Sequence, residues 1–135
     1  MRVCMWHLHA DNPEDALRQR SRFLAALANE SGDPGFDRFA AQLIYTELIG
    51  NVMRHGRGPV DIQLRCVDGK ALLHVFDRGD GFVFSPTLPQ APLQESGRGL
   101  FLVSRYAERV NVHTLVGHGT CVSAVFEIGR HARVT

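Results

Sequence analysis

Apolar positions two apart mark the strands of this chain, and apolar positions three and four apart mark its helices. In "PVDIQLRCV", Val60, Ile62, Leu64 and Cys66 alternate with Asp61, Gln63 and Arg65, as in a strand with one buried face. Asp68-Gly69 is a two-residue hairpin signal, and "KALLHVFD" is the returning strand. The opening "RVCMWHLHA" reads as another strand, with His7 and His9 on one side of it. "VNVHTLV" and "TCVSAVFEI", joined through "GHG", form a last hairpin.

Helical spacing fills the intervals. "DNPEDALRQRSRFLAALANESG" has Asn12 as N-cap, Pro13 at the first helical position and acids in the first turn, and Gly32 with "DPG" stops it. A second helix spans Phe36 to His55, and "GLFLVSRYAERV" carries a third. The glycine-containing loop between Asp77 and that third helix holds Pro86, Pro89 and Pro92, which exclude regular structure throughout. About five strands and three helices in this order predict an α/β two-layer sandwich. Its helices pack on one face of a mixed, mostly antiparallel sheet.

Composition narrows the function. A chain of 135 residues has the size of one domain, residues 1–135, with a single core. Apolar residues at 44% and charged residues at 21% are the balance of a folded globular chain, not a disordered one. A net charge of +1 supplies no field for nucleic acid or an anionic membrane, and no apolar run reaches the length of a membrane span. Neither is expected as a partner. Cys4, Cys66 and Cys121 stand apart in apolar stretches, without CxxC spacing, and read as reduced core thiols. The opening residues do not form a signal peptide, so the cytoplasm is the expected compartment. The single lysine, Lys70, lies in the "VDGK" turn, and GxxxxGK[ST] is absent. That excludes P-loop enzymes and kinases that need a lysine beside the phosphates.

Polar residues at apolar places carry the candidate chemistry. On the second helix, residues four apart are separated by about 40° around the axis, so Glu47 and Asn51 project together. Leu43, Ile44, Leu48 and Val52 crowd the adjoining sector, while Gln42, Thr46 and Arg54 serve the solvated side. A carboxylate at the margin of an apolar sector is costly unless something satisfies it. In "VFDRGDGF", Asp77 ends a strand and presents an acceptor that suits an amino group, before a turn through Gly79 and Gly81. In "ESGRGLFLV", Gly97 and Gly99 open a helix whose free N–H groups and dipole favour an anion, with Arg98 between them. "GHGT" sets Thr120 at the start of the last strand. Taken singly, each of these also fits an ordinary turn, cap or surface pair.

The ordered set is more specific than its parts. An E-x-x-x-N helix, a strand ending D-x-G-x-G, a G-x-G before a helix and a G-x-[ST] hairpin together resemble the GHKL (Bergerat-fold) ATP-binding domain. The likeness runs from about Phe36 to Ile128 and is greatest to the stand-alone anti-sigma regulatory serine/threonine kinases. It implies ATP and Mg²⁺ as cofactors. Asn51 would supply its side-chain oxygen to the metal, and Glu47 would deprotonate a protein hydroxyl as the catalytic base. Asp77 would bind the adenine amino group with Thr120 in support, and Gly79 and Gly81 would let the base approach the backbone. Gly97, Arg98 and Gly99 would border the phosphates beneath a lid of residues 83–96. No acidic or basic residue stands between Phe82 and Gln94, so phosphate charge falls to Arg98 or elsewhere. His55 fits a packed or helix-terminal histidine at least as well as a site residue.

The resemblance further implies an anti-anti-sigma (STAS-type) protein partner and a sigma factor, and relatives of this type commonly pair as homodimers. Two alternatives remain open: a nucleotide-dependent switch without phosphoryl transfer, and a detached histidine-kinase-like catalytic domain. The second is disfavoured because the residues before the first box include a strand where a phosphoacceptor helical hairpin would be needed.

Overall fold

Strand β3 (Lys70–Asp77) lies at the centre of a five-stranded sheet in the order β1-β2-β3-β5-β4. The other strands are β1 (Val3–Ala10), β2 (Val60–Val67), β4 (Arg109–Leu115) and β5 (Gly119–Glu127). The architecture is that of a computed structural model, which describes residues 3–31, 36–55, 57–79, 98–115 and 119–128. The β2–β3 turn is the one its residues demand. Asp68 and Gly69 both take positive φ, 51° and 78°, the conformation that matches the twist of a tight hairpin.

Among the described residues all four strand pairings are antiparallel, so the sheet they form is not mixed. The reason lies in the helices. Helices α1 (Pro13–Arg18) and α2 (Arg20–Ser31) carry the chain away from the Ala10 end of β1, and α3 (Arg38–His55) brings it back to Val60, beside Ala10. The chain leaves β3 at Asp77, runs down α4 (Arg98–Tyr106) and returns along β4. Each neighbour is therefore entered from the end at which the chain arrived.

Among the described residues four helices replace the expected three, because the first pattern breaks at Gln19. The Ala16 carbonyl accepts from Gln19 N at 3.2 Å and from the Tyr45 hydroxyl at 2.6 Å. A tertiary partner thus takes the oxygen that a continuous helix would offer to residue 20. At the far end of α3, Asp37 Oδ1 accepts from Ala40 N at 3.0 Å and caps the helix, which starts at Arg38 instead of Phe36. The third predicted helix ends at Tyr106, since Arg109 already pairs with Val125.

α3 is the helix the core is built around. Ile44, Tyr45, Leu48, Ile49 and Val52 are all fully buried. Beneath the helices lie Ile62, Leu64, Leu73, Val75, Val122 and Ala124 from the inner face of the sheet. Each of the valine, leucine and isoleucine side chains contributes roughly 1.5–3 kcal/mol on burial. Phe23 stacks on Tyr45 with ring centroids 4.5 Å apart and meets Trp6 at 6.3 Å, fastening α2 and β1 to α3. On the other face of the sheet, His9 Nδ1 lies 2.8 Å from Asp61 Oδ1, and that bond holds the imidazole above its ordinary pKa. Cys66 and Cys121 are buried. Among the described residues no helix is long and apolar enough to cross a membrane.

Tyr45→Phe should lower the unfolding free energy by about 1 kcal/mol, the worth of one buried hydrogen bond whose acceptor keeps a second donor. Urea denaturation with an unchanged slope checks it; a change below about 0.3 kcal/mol would leave the break at Gln19 without its tertiary cause.

Candidate functional site

One end of the molecule gathers the strand ends and helix ends that carry the unusual polar residues. Asp77 closes β3 and Thr120 stands next to the start of β5, and the two are direct partners in the β3·β5 ladder. Both are buried, at 6% and 2% exposure. The Gly79 N–H donates to Asp77 Oδ1, so the turn after the strand orients one oxygen of the carboxylate. The Thr120 hydroxyl has no hydrogen-bond partner among the described residues. Next to them, burial and then the charge of Asp77 push the Cys121 thiol up to about 11, which keeps it protonated and inert.

Gly119 makes this approach possible. Its φ is +111°, and a Cβ there would overlap the Asp77 carbonyl and stand 2.8 Å from Arg78 Cα. Only a residue without a side chain lets β5 start against the end of β3. The backbone also ties α3 to this end, because Arg78 N donates to the Arg57 carbonyl at 3.1 Å, two residues past His55.

On α3, Asn51 is 1% exposed and its Oδ1 has no partner among the described residues. An unsatisfied buried carbonyl oxygen costs about 1–3 kcal/mol. One turn earlier, the half-buried Glu47 carboxylate reaches the first turn of α4. A Cβ on Gly99 would lie 3.1 Å from Glu47 Cδ, with the carboxylate oxygen closer still. The structure therefore joins Glu47 to Gly99, and Asp77 to Gly79 and Thr120, with Asn51 one turn beyond Glu47. Gly81, Gly97, the lid at 83–96 and the side chains of Arg98 and His55 lie outside the described residues; Arg98 is the first residue of α4.

Arg54 is a residue that the ordered motifs leave out. Gln42 is exposed as expected, and Thr46 is half-buried under Arg20, whose Nη1 lies 3.3 Å from its hydroxyl. Arg54 is exposed too, but its guanidinium folds back over Gly50, 3.5 Å from where a Cβ would stand, and lies 3.3 Å from the same point at Gly99. The signal was available. Residues seven apart differ by only about 20° around a helix, so Arg54 shares the Glu47 sector more closely than Asn51 does. Gly50 then leaves the intervening surface clear. A cation thus stands beside the helix N-terminus where an anion is favoured.

The single lysine is elsewhere. Lys70 opens β3 at the opposite end from Asp77, about 23 Å away by strand rise, and pairs with Glu108 at 2.9 Å. A cavity lined by Asp37, Arg105, Tyr106 and Phe126 lies at that far end as well. No group of three or more His, Cys, Asp or Glu residues forms a metal cluster among the described residues. A cation here would need oxygen donors such as the Asn51 amide together with those of a ligand.

Residues 10–126 match the family model described as a histidine kinase-like ATPase domain. Among solved structures, the chain is similar to the Acinetobacter baumannii histidine kinase AdeS, with a TM-score of 0.53 at 14% identity, over 95% of this chain and 69% of that one. The histidine kinase domain of the Erythrobacter litoralis EL346 blue-light activated histidine kinase matches with a TM-score of 0.49 at 17% identity, over 85% of this chain and 62% of that one. No curated protein matches the chain.

If the Asn51 amide is kept for a ligand and not for the fold, Asn51→Leu should leave the ligand-free chain as stable or more stable. The reason is that an unsatisfied polar atom is replaced by an apolar side chain with the same branching and number of heavy atoms. Thermal unfolding checks it, and a loss exceeding about 1 kcal/mol would make the amide a structural group.

Proposed function

The chain belongs to the family of histidine kinase-like ATPase domains, and we propose that it is an ATP-dependent regulator that phosphorylates a serine or threonine of a partner protein. The observation that carries the reading is the Glu47 carboxylate standing at the first turn of α4, with the unpartnered Asn51 oxygen one turn away. Nucleotide binding alone has no use for a carboxylate at the phosphate end. A hydroxyl acceptor does, because it must lose a proton as it attacks, whereas a neutral imidazole attacks through a free lone pair.

The roles follow from the placement of each group. Asp77 accepts a hydrogen bond from the exocyclic amine of adenine, with its orientation set by Gly79 N–H, and the Thr120 hydroxyl completes the polar end of the base pocket. Asn51 offers a hard, buried oxygen that fits one coordination position of Mg²⁺, an ion that keeps several waters and otherwise binds phosphate oxygens. When bound, that ion neutralises phosphate charge. Arg54 stands with the first turn of α4 to receive the terminal phosphate, supplying the fixed positive charge that Lys70 is too distant to give. Glu47 takes the proton from the attacking hydroxyl. Phosphoryl transfer demands mainly position and charge neutralisation, and these side chains provide both.

The protein partner we propose is a small STAS-type anti-anti-sigma protein, with a sigma factor as the second client. Both would place the chain in the cytoplasm. Incubation with γ-labelled Mg·ATP and the STAS-type proteins encoded near it should transfer label to one of them at Ser or Thr. ATP binding without transfer to any would support a nucleotide-dependent switch instead.

Two substitutions separate the roles. Asp77→Asn should weaken ATP and ADP equally, by roughly 10- to 100-fold, the worth of one charge-assisted hydrogen bond; unchanged affinities by calorimetry would remove Asp77 from the adenine site. Glu47→Gln should bind nucleotide normally and lose about 100-fold or more in transfer rate; retained transfer would show that the carboxylate is not the base.

A further inference from the structure

Gly99 is a glycine without a conformational reason to be one. Its φ is not in the positive range, unlike those of Gly58, Gly69 and Gly119, and it is the second residue of a regular helix. Glycine within a helix costs about 0.5–1 kcal/mol relative to alanine. What the position does require is space. A Cβ at Gly99 would overlap Glu47 Oε1, come within 3.1 Å of Glu47 Cδ and within 3.3 Å of Arg54 Nη2. No other described glycine faces a charged pair in this way.

We infer that Gly99 is a positioning residue for Glu47: its bare Cα is the floor on which the carboxylate rests, and it sets the direction in which the base points. This rests on the kinase reading, and deepens it. The obstacle an added methyl would meet is the mobile tip of Glu47, not backbone, so Gly99→Ala is relieved by turning the carboxylate aside and leaves the fold intact. Arg54 blocks one direction of that turn, because its guanidinium occupies the adjoining side of the same point. A base displaced by even an ångström loses its line to the hydroxyl proton, and misplacement on that scale costs on the order of 100-fold.

The inference predicts a split that a plain phosphate-loop glycine would not show. The acceptor is the STAS-type protein that takes up phosphate from Mg·ATP in the assay above. Gly99→Ala should melt at the wild-type temperature or higher and lose far less in Mg·ATP affinity than in transfer, which should slow about 100-fold, chiefly in kcat. Adding Glu47→Asp, which shortens the side chain by one methylene, should restore at least about tenfold of that loss, although Glu47→Asp alone is slower than wild type. Transfer by Gly99→Ala at the wild-type rate overturns the inference while leaving the kinase reading intact. So does a loss of nucleotide affinity equal to the loss of transfer, which would place Gly99 at the phosphates. Absence of transfer by the wild-type chain defeats the kinase reading, and the positioning role with it.

Discussion

The β3·β5 ladder is the constraint on which everything else depends. It runs in unbroken register from Lys70 opposite Glu127 to Asp77 opposite Thr120. Because side chains alternate between faces, a slip of β3 by one residue would put Asp77 on the open face of the sheet and carry Leu73 and Val75 out of the core. The hydrophobic pattern thus holds the polar pair in place. Gly119 completes the device, since the strand can begin at that level only if its first residue leaves room for the Asp77 carbonyl.

That arrangement concentrates unfavourable groups at one end of the molecule. Asn51, Asp77 and Thr120 are nearly inaccessible, and two of the three carry atoms without a partner among the described residues. Buried polar groups normally find partners, and locally destabilising choices cluster where a protein meets its ligand. Among the described residues the opposite end shows no comparable cost: Lys70 pairs with Glu108, Asp37 caps α3, and the exposed rings of Phe39 and Tyr106 meet edge to face at 5.8 Å. The contrast between the two ends is an energetic argument for which one binds nucleotide, independent of any motif.

α3 links the two properties. Its apolar residues occupy most of its circumference, so it is anchored by the sheet on one side and by α1, α2 and α4 on others. A helix held so firmly can carry Glu47, Asn51 and Arg54 with little freedom to drift, which a loop could not. The polar residues sit in its last two and a half turns, where the helix emerges beside the strand ends.

By itself, the amino-acid sequence determined all five strands and the hairpin turn at Asp68-Gly69. Local period and turn chemistry act over a few residues and need no partner. It also set out the ordered motifs that mark the family. Tertiary structure alone decided three things. Tyr45 captured the Ala16 carbonyl and broke one helix into two; the paths of the helices made every strand pairing of the described residues antiparallel; and Arg54, though exposed, folded back toward Gly99. Each depends on an atom supplied from a distant part of the chain, through packing that no spacing rule contains.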